Sequence, residues 1–216
     1  MKTEQPSNRL TAAMEYARVA HGPQRRKGTD IPYLAHVMAV AGLVMEHGGD
    51  EDQAIAALLH DVLEDCGAHH EPIIREQFGN RVTNIVSACT DDTPNAAGKT
   101  ADWRGRKARY IDHLRNASVD MLLVSAADKL HNTRAIVADL QAGCDVFARF
   151  KGGKDGTLWY YDGLVHALSA RMGENHPLIV EFRRTTTAMH AESGRSLGER
   201  TGARPAGGAV ISAKLC

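Results

Sequence analysis

The sequence predicts an all-α fold, built as one compact helical domain. Apolar side chains recur at helical spacing along most of the chain, and few segments alternate for long enough to form strands. Residues that typically begin and end helices stand at the edges of these segments. The apolar segment 119–124 is compatible with a strand, but the helical spacing that follows it favours a buried helix.

Local signals predict the first three helices. Segment 8–21 has its apolar residues near helical spacing, and 22–31 is rich in turn-forming residues. Pro32 suits the first turn of a second helix, over 32–47, because its missing N–H costs nothing there. Gly48 and Gly49 end that helix. Asp50 is a favourable N-cap for a third helix, over 50–65, which ends before Gly67.

Six further helices are expected in the rest of the chain. They cover 71–78, 81–90, 102–116, 119–141, 156–172 and 176–191, with a loop over 91–99. Near residue 191 the composition shifts towards Gly, Ala, Ser and Arg, and the few apolar residues have no helical phase. We therefore assign 1–190 to one domain and 191–216 to a flexible C-terminal tail.

Length and charge restrict the class of protein. The chain has 216 residues, with 26 basic and 26 acidic side chains, so its formal net charge is zero. This balance implies no global attraction to nucleic acid or to a membrane surface, so any phosphate binding must come from a local patch. The apolar runs are too short to cross a bilayer, and residues 1–10 lack the apolar region of a signal peptide. We expect a cytoplasmic protein of undetermined oligomeric state.

The third predicted helix carries the most informative cluster of polar residues. At about 100° per residue, one side of this helix holds an imidazole and three carboxylates, with His60 next to Glu64 and Asp61 next to Asp65 one turn apart. A solvated polar face is the alternative interpretation. The preceding turns, however, place alanines around the same side, which indicates that this side packs inward. Inward-facing carboxylates require compensation, and a bound cation provides it.

Two further residues are candidates to complete a metal site. His36 and Asp128 each lie in an apolar helical segment. Taken singly, each has a structural alternative, a satisfied core histidine or a capping or ion-pairing aspartate. Together with His60 and Asp61 they make a mixed nitrogen and oxygen set, which suits Mn²⁺, Fe²⁺ or Zn²⁺. Such a site keeps open positions for water, as catalytic metal sites do.

Several short segments carry a family resemblance. They are AH at 20–21, QRRK at 24–27, IPYLAH at 31–36, ALLHDVLED at 57–65 and ADKLHN at 127–132. The order of His36, His60-Asp61 and Asp128 resembles the HD superfamily of metal-dependent phosphohydrolases. The surrounding segments resemble, more specifically, the hydrolase domain of RelA/SpoT proteins, whose stand-alone form is called a small alarmone hydrolase. The resemblance covers roughly residues 10–170 and implies a helical HD-domain bundle.

The resemblance implies roles for nine residues. It implies Mn²⁺, or another divalent metal, on His36, His60, Asp61 and Asp128, a catalytic pair in Glu64 and Asp65, and substrate contacts from Arg26, Lys27 and Asn132. The implied reaction removes the 3′-pyrophosphate of (p)ppGpp or of its adenosine counterpart. Glu64 and Asp65 would orient or deprotonate the attacking water, and their crowding is expected to raise a carboxyl pKa.

Alternatives remain open at this point. The metal site is compatible with another phosphorylated nucleotide as substrate, or with a metal- or nucleotide-binding regulatory module that has little turnover. The acidic pair argues against the module, because binding alone does not require it. Tyr160 or Tyr161 is a candidate for stacking on a base, with core packing as the alternative. Cys66 stands where the family often has threonine. A basic rim is a further candidate, formed by Arg104, Arg106, Lys107 and Arg109.

Overall fold

A computed structural model describes residues 7–90 and 102–195. In chain order the helices are α1 (Asn8–His21), α2 (Tyr33–Glu46), α3 (Glu51–Leu59), a π-helical turn (Val62–Cys66), α4 (His70–Phe78), α5 (Asn80–Cys89), α6 (Trp103–Leu114), α7 (Val119–Gln141), a 3-10 turn (Val146–Arg149), α8 (Gly153–Met172) and α9 (Pro177–Gly194). Within these ranges the β structure consists of a single isolated bridge between Arg25 and Pro32. The all-α prediction is therefore confirmed.

The long helix α7 lies at the centre of the bundle. It packs against α2, α3 and α5 on one side and against α9 on another, while α8 packs on α9 and α6. Ser118 caps its first turn by accepting a hydrogen bond from the Met121 N–H. The segment from Met121 to Asp128 is buried throughout, as the unbroken apolar run requires. Asp128 is thus carried into the interior by the helix that organises the core.

The third helix differs from its prediction. Its start is as expected, since Asp50 caps α3 and forms a reciprocal capping box with Gln53. The end of the helix differs from the prediction, because α3 stops at Leu59. The chain then continues as a π-helical turn, in which the Gly67 N–H donates to the Val62 carbonyl. The prediction of one continuous helix to residue 65 is wrong. The His60 side chain explains part of the break. Its Nδ1 lies 2.7 Å from the Ala57 carbonyl oxygen and competes with the backbone for that acceptor.

The loop between α1 and α2 is tied down by backbone hydrogen bonds. The Arg26 N–H donates to the Ile31 carbonyl at 2.9 Å, and the Tyr33 N–H donates to the Gln24 carbonyl, also at 2.9 Å. These bonds fold the loop back on itself and bring Gln24, Arg26 and Tyr33 to the same end of the bundle as the polar residues of α3 and α7. The loop therefore has a defined geometry at the position where function was predicted.

The remaining predictions concern the chain end and the membrane. Helix α9 continues to Gly194, with Glu192 and Ser193 buried, so the first residues assigned to the tail are helical. Residues 196–216, and the loop predicted at 91–99, lie outside the described residues. Among the helices that the structure describes, none has the length and apolar character needed to cross a membrane.

Candidate metal and active site

Four predicted ligands meet at one point between α2, α3 and α7. Ligand atoms of His36, His60 and Asp128 all lie within 4.8 Å of one another, and the three residues are buried. Asp61 Oδ2 lies 2.9 Å from His60 Nε2 and 3.7 Å from His36 Nε2. Asp128 Oδ1 lies 3.2 Å from His36 Nε2 and 3.6 Å from His60 Nε2. Both imidazoles therefore present Nε2 to two carboxylate oxygens.

The orientation of His60 tests whether a cation fits this position. Its Nδ1 lies 2.7 Å from the Ala57 carbonyl, which only accepts hydrogen bonds, so Nδ1 carries the proton. In the neutral ring Nε2 then holds a lone pair, and this atom is buried without a hydrogen-bond partner. A lone pair that faces carboxylate oxygens is unfavourable unless a cation lies between them. The donor set therefore suits a divalent metal.

His36 is oriented by His131, a residue for which the sequence predicted no role. Its Nδ1 lies 2.8 Å from Nδ1 of His131 on α7. If His36 Nε2 is to bind a metal, its Nδ1 carries the proton and donates to His131, which must then be neutral. Burial, with the nearby His36 and Arg26, lowers the pKa of His131 to about 4, so the neutral form is favoured.

Asp128 is held by two neighbours on α7. Lys129 Nζ donates to its Oδ2 and Asn132 Nδ2 donates to its Oδ1, each at 2.6 Å. The ammonium group of Lys129 also lies 5.1 Å from the centre of the Tyr110 ring. With Oδ2 bound to Lys129, the Asp128 oxygen that faces the imidazoles is Oδ1.

Asp61 has a comparable support in Tyr33. The Tyr33 hydroxyl donates to Asp61 Oδ2 at 2.5 Å. The Tyr33 ring packs between two histidines, 4.8 Å from the His21 ring and 5.2 Å from the His36 ring. Tyr33 therefore connects the first turn of α2 with the end of α3. The family-like segments at 31–36 and 127–132 contain Tyr33, Lys129 and His131. The resemblance of these segments is therefore the sequence signal that could have indicated these residues.

The charges of the site act strongly on one another. Burial disfavours the charged form of His60, but Asp61 and Asp128 outweigh it and raise the pKa of the imidazole. Burial also opposes ionisation of Asp128, but Lys129 and the two imidazoles lower its pKa well below the usual range. The pKa of Asp61 is lowered in the same way, chiefly by His60. The site thus holds ionised carboxylates in the interior, where they attract positive charge.

The predicted acidic pair occupies the edge of the site. Glu64 and Asp65 are exposed, so the expectation that all three carboxylates of this segment face inward is wrong for these two. The π-helical turn changes the direction of their side chains relative to a continuous helix. Glu64 lines a cavity, and Asp65 Oδ2 accepts a hydrogen bond from Gln24 Nε2 at 2.8 Å. Partial burial, together with the charge of Asp61, raises the pKa of Asp65.

The three predicted substrate residues lie together beside the candidate metal ligands. Arg26 donates to Asn132 Oδ1 at 3.0 Å and approaches His131 Nδ1 at 3.4 Å. Asn132 thereby connects Arg26 with Asp128. All three residues, Arg26, Lys27 and Asn132, border a cavity of about 400 Å³.

A second cavity of about 390 Å³ adjoins the first and shares Lys27, Lys107 and Tyr160 with it. The two together form a cleft, which we call the basic cleft. Its basic residues are Arg26, Lys27, Arg106, Lys107, Lys129, Arg149 and Lys151. The basic cleft also contains Glu64, so one member of the acidic pair shares this opening with the cationic lining.

Other candidates are only partly placed in the cleft. Tyr160 and Tyr161 are buried in the core and also border the cleft. Of the predicted basic rim, Arg106 and Lys107 line the cleft, whereas Arg104 stacks over Trp159 at 4.4 Å from the ring centre. Cys66 is a free thiol whose pKa is raised by burial and by the charge of Asp65, which disfavours the reactive thiolate.

Comparison with known proteins agrees with this geometry. A family model described as HD domain matches residues 13–158. Over 128 residues the chain is 39% identical to guanosine-3′,5′-bis(diphosphate) 3′-pyrophosphohydrolase MESH1 of Xenopus tropicalis. The matched segment covers 58% of this chain and 68% of that protein. A probable guanosine-3′,5′-bis(diphosphate) 3′-pyrophosphohydrolase of Synechocystis is 33% identical over 137 residues, or 63% of this chain. That protein is much longer, and the match spans 18% of it.

A solved structure shows the same fold. It is described as a metazoan ortholog of SpoT that hydrolyses ppGpp, and it superposes with a TM-score of 0.71 at 28% sequence identity. The superposition covers 86% of this chain and 97% of the other. The similarity of fold therefore extends over most of both chains.

Proposed function

We propose that this protein hydrolyses the 3′-pyrophosphate of (p)ppGpp. The chain belongs to the HD-domain family and is a hydrolase of that family. The products would be pyrophosphate and GDP or GTP. One observation carries the proposal: a cluster of two imidazoles and two carboxylates lies beside a cleft that combines basic residues with Glu64 of the acidic pair. The names of the relatives support the choice of substrate.

The metal that we propose is Mn²⁺, and the residues that would hold it are His36, His60, Asp61 and Asp128. When bound, a divalent ion supplies Lewis acidity, which lowers the pKa of coordinated water and neutralises charge on the transferring phosphoryl group. The protein's own contribution is to orient the ligands. His131 and Tyr33 orient His36 and Asp61, while Lys129 and Asn132 orient Asp128.

Glu64 and Asp65 are the proposed proton-transfer groups. Their carboxylates lie at the edge of the metal site and reach solvent, so they can take a proton from the attacking water and return it to solvent or product. The raised pKa of Asp65 brings that carboxyl closer to the range in which it exchanges protons near neutral pH. These two residues therefore act on the water rather than on the metal.

The basic cleft is the proposed binding site for the nucleotide. Its cationic side chains neutralise the phosphates, with Arg26 and Lys27 nearest to the loop that precedes the metal ligands. Arg26 reaches Asn132, so substrate contacts and the support of Asp128 are connected. The aromatic residues in the cleft wall, Tyr160 and Tyr161, offer apolar surface to the base.

A substrate comparison tests the proposal. The purified chain is incubated with Mn²⁺ and, separately, ppGpp, ppApp, NADPH and deoxynucleoside triphosphates, and the release of pyrophosphate and phosphate is measured. Pyrophosphate from ppGpp supports the proposal, and pyrophosphate from ppApp alone would identify the adenosine counterpart as substrate. Phosphate from another nucleotide would contradict the alarmone assignment. Tight metal binding without turnover would indicate a regulatory module instead.

The cytoplasmic location remains a prediction.

A further inference from the structure

A chain of hydrogen bonds connects a buried histidine to Asp65. His21, at the end of α1, lies with its Nδ1 2.8 Å from Oε1 of Gln24. Gln24 Nε2 in turn donates to Asp65 Oδ2, also at 2.8 Å. His21 is 4% exposed and Asp65 is on the surface, so the chain runs from the core to the edge of the active site.

The chemistry of these groups fixes the direction of every bond. A carboxylate oxygen only accepts, so Gln24 must present its NH₂ group to Asp65. Its carbonyl oxygen then faces His21 and can only accept, so His21 Nδ1 carries the proton and donates. Rotation of the amide by 180° would place two oxygens against each other at Asp65. His21 therefore holds the Gln24 amide in the orientation that binds the carboxylate.

The backbone and the packing of the helices fix Gln24 and His21 in this chain of hydrogen bonds. The Gln24 N–H donates to the His21 carbonyl at 2.8 Å, and the Gln24 carbonyl accepts from the Tyr33 N–H at 2.9 Å. The His21 ring lies 4.8 Å from the ring of Tyr33, the residue that supports Asp61. Gln24 is thus tied through its backbone and its side chain to the same scaffold that holds the metal ligand.

Asp65 needs such support because of its position. It is an exposed residue of the π-helical turn after α3, and an exposed aspartate side chain has several accessible rotamers. Proton transfer requires a carboxylate oxygen within hydrogen-bond reach of the water, and misplacement by about 1 Å can lower the rate by about 100-fold. A single amide donor on Oδ2 selects one rotamer.

We propose that Gln24 is a positioning residue for the Asp65 carboxylate, and that His21 sets the orientation of the Gln24 amide. The inference rests on the proposed function, because it takes Asp65 as a group that acts on the attacking water. It also assigns the two oxygens of Asp65: Oδ2 is bound to Gln24, and Oδ1 is the oxygen that meets the water.

Kinetics of three variants test this proposal. Gln24→Ala is expected to lower kcat about 10-fold while KM, Mn²⁺ affinity and the unfolding temperature stay near their wild-type values. At position 21, His21→Asn places an amide N–H near the former Nδ1, whereas His21→Gln places it near the former Nε2. His21→Asn should therefore retain most of kcat, and His21→Gln should resemble Gln24→Ala. Equal losses in the two His21 variants would contradict the role assigned to Nδ1.

Crystal structures of the wild type and Gln24→Ala give a readout that does not depend on turnover. We expect one Asp65 rotamer in the wild type and several in the variant, with unchanged helices. A single unchanged rotamer in Gln24→Ala would overturn the proposal, whatever the substrate is.

A double variant separates this proposal from the function on which it rests. Gln24→Ala combined with Asp65→Asn should be no slower than Asp65→Asn alone, because the positioned carboxylate is already lost. Wild-type activity in Asp65→Asn would show that the catalytic role of Asp65 is wrong. An additional loss in the double variant would show instead that Gln24 acts elsewhere.

Discussion

His36 and His131 face each other through their Nδ1 atoms, 2.8 Å apart, although 95 residues separate them in the chain. Two imidazoles can form this hydrogen bond only if one donates and the other accepts. The lowered pKa of His131, about 4, keeps its ring neutral, so that its Nδ1 can accept the hydrogen bond when His36 Nδ1 donates. His36 then keeps its Nε2 lone pair directed at Asp61 and Asp128.

Replacement of His131 should therefore weaken metal binding. We expect His131→Ala to reduce Mn²⁺ affinity by about 10-fold, because loss of an outer hydrogen bond leaves the His36 ring free to turn. In His131→Asn the side-chain oxygen can accept the same bond, so this variant should lose less. Isothermal titration with Mn²⁺ measures both. Equal affinities in all three proteins would show that His131 does not orient His36.

Tyr33 offers a second test of ligand support. Tyr33→Phe removes the hydroxyl that donates to Asp61 Oδ2 but retains the ring that packs against His21 and His36. We expect Mn²⁺ affinity to fall by about 10-fold, with little change in the unfolding temperature of the metal-free protein. Tyr33→Ala serves as the contrasting variant, since it should lower both quantities. Unchanged Mn²⁺ affinity in Tyr33→Phe would show that the Tyr33 hydroxyl does not orient Asp61 for metal binding.

The acidic pair and the metal ligands should respond differently to mutation. Glu64→Gln is expected to retain metal binding and to lower kcat by about 100-fold or more, because the amide cannot accept a proton. Asp61→Ala is expected to abolish metal binding and activity together. Metal titration and steady-state kinetics on both variants distinguish the two roles. A fully active Glu64→Gln would show that Glu64 does not activate the water.

The N-cap of α3 contributes to the stability of the helix that leads into the site. Asp50→Ala removes the side chain that accepts from the Gln53 N–H and should lower the free energy of unfolding by about 1 kcal/mol. Asp50→Asn keeps the cap and removes only the exposed ion pair with Arg81, so it should cost less. Denaturant unfolding of the three proteins measures the difference.

The same residue gives a pH dependence with a definite sign. The hydrogen bonds of Asp50 to the α3 N-terminus and to Arg81 outweigh its partial burial and lower its pKa in the folded protein. The folded state then binds fewer protons than the unfolded state. The stability that wild type has over Asp50→Asn should be fully present above the unfolded pKa, about 4, and should disappear as the pH falls through the lower folded value. A difference that grows on acidification would contradict this assignment.

Part of the site could be predicted from the sequence because its signals are local. The imidazoles and carboxylates of His36, His60, Asp61 and Asp128 stand in apolar helical segments, where ionisable groups require partners. The exposure of Glu64 and Asp65 could not be predicted in the same way. Helical phasing assumes a constant rotation per residue, and the π-helical turn at Val62–Cys66 breaks that assumption.

The sequence by itself determined the all-α class, the bounds of α1 and α7, and the segments that carry the candidate ligands. Helix propensity, capping and apolar spacing act between residues a few positions apart, so they can be read without the fold. Only the tertiary structure decided that His131 meets His36, that Tyr33 supports Asp61 and that Gln24 binds Asp65. These contacts join residues 28 to 95 positions apart, and their geometry depends on how the helices pack.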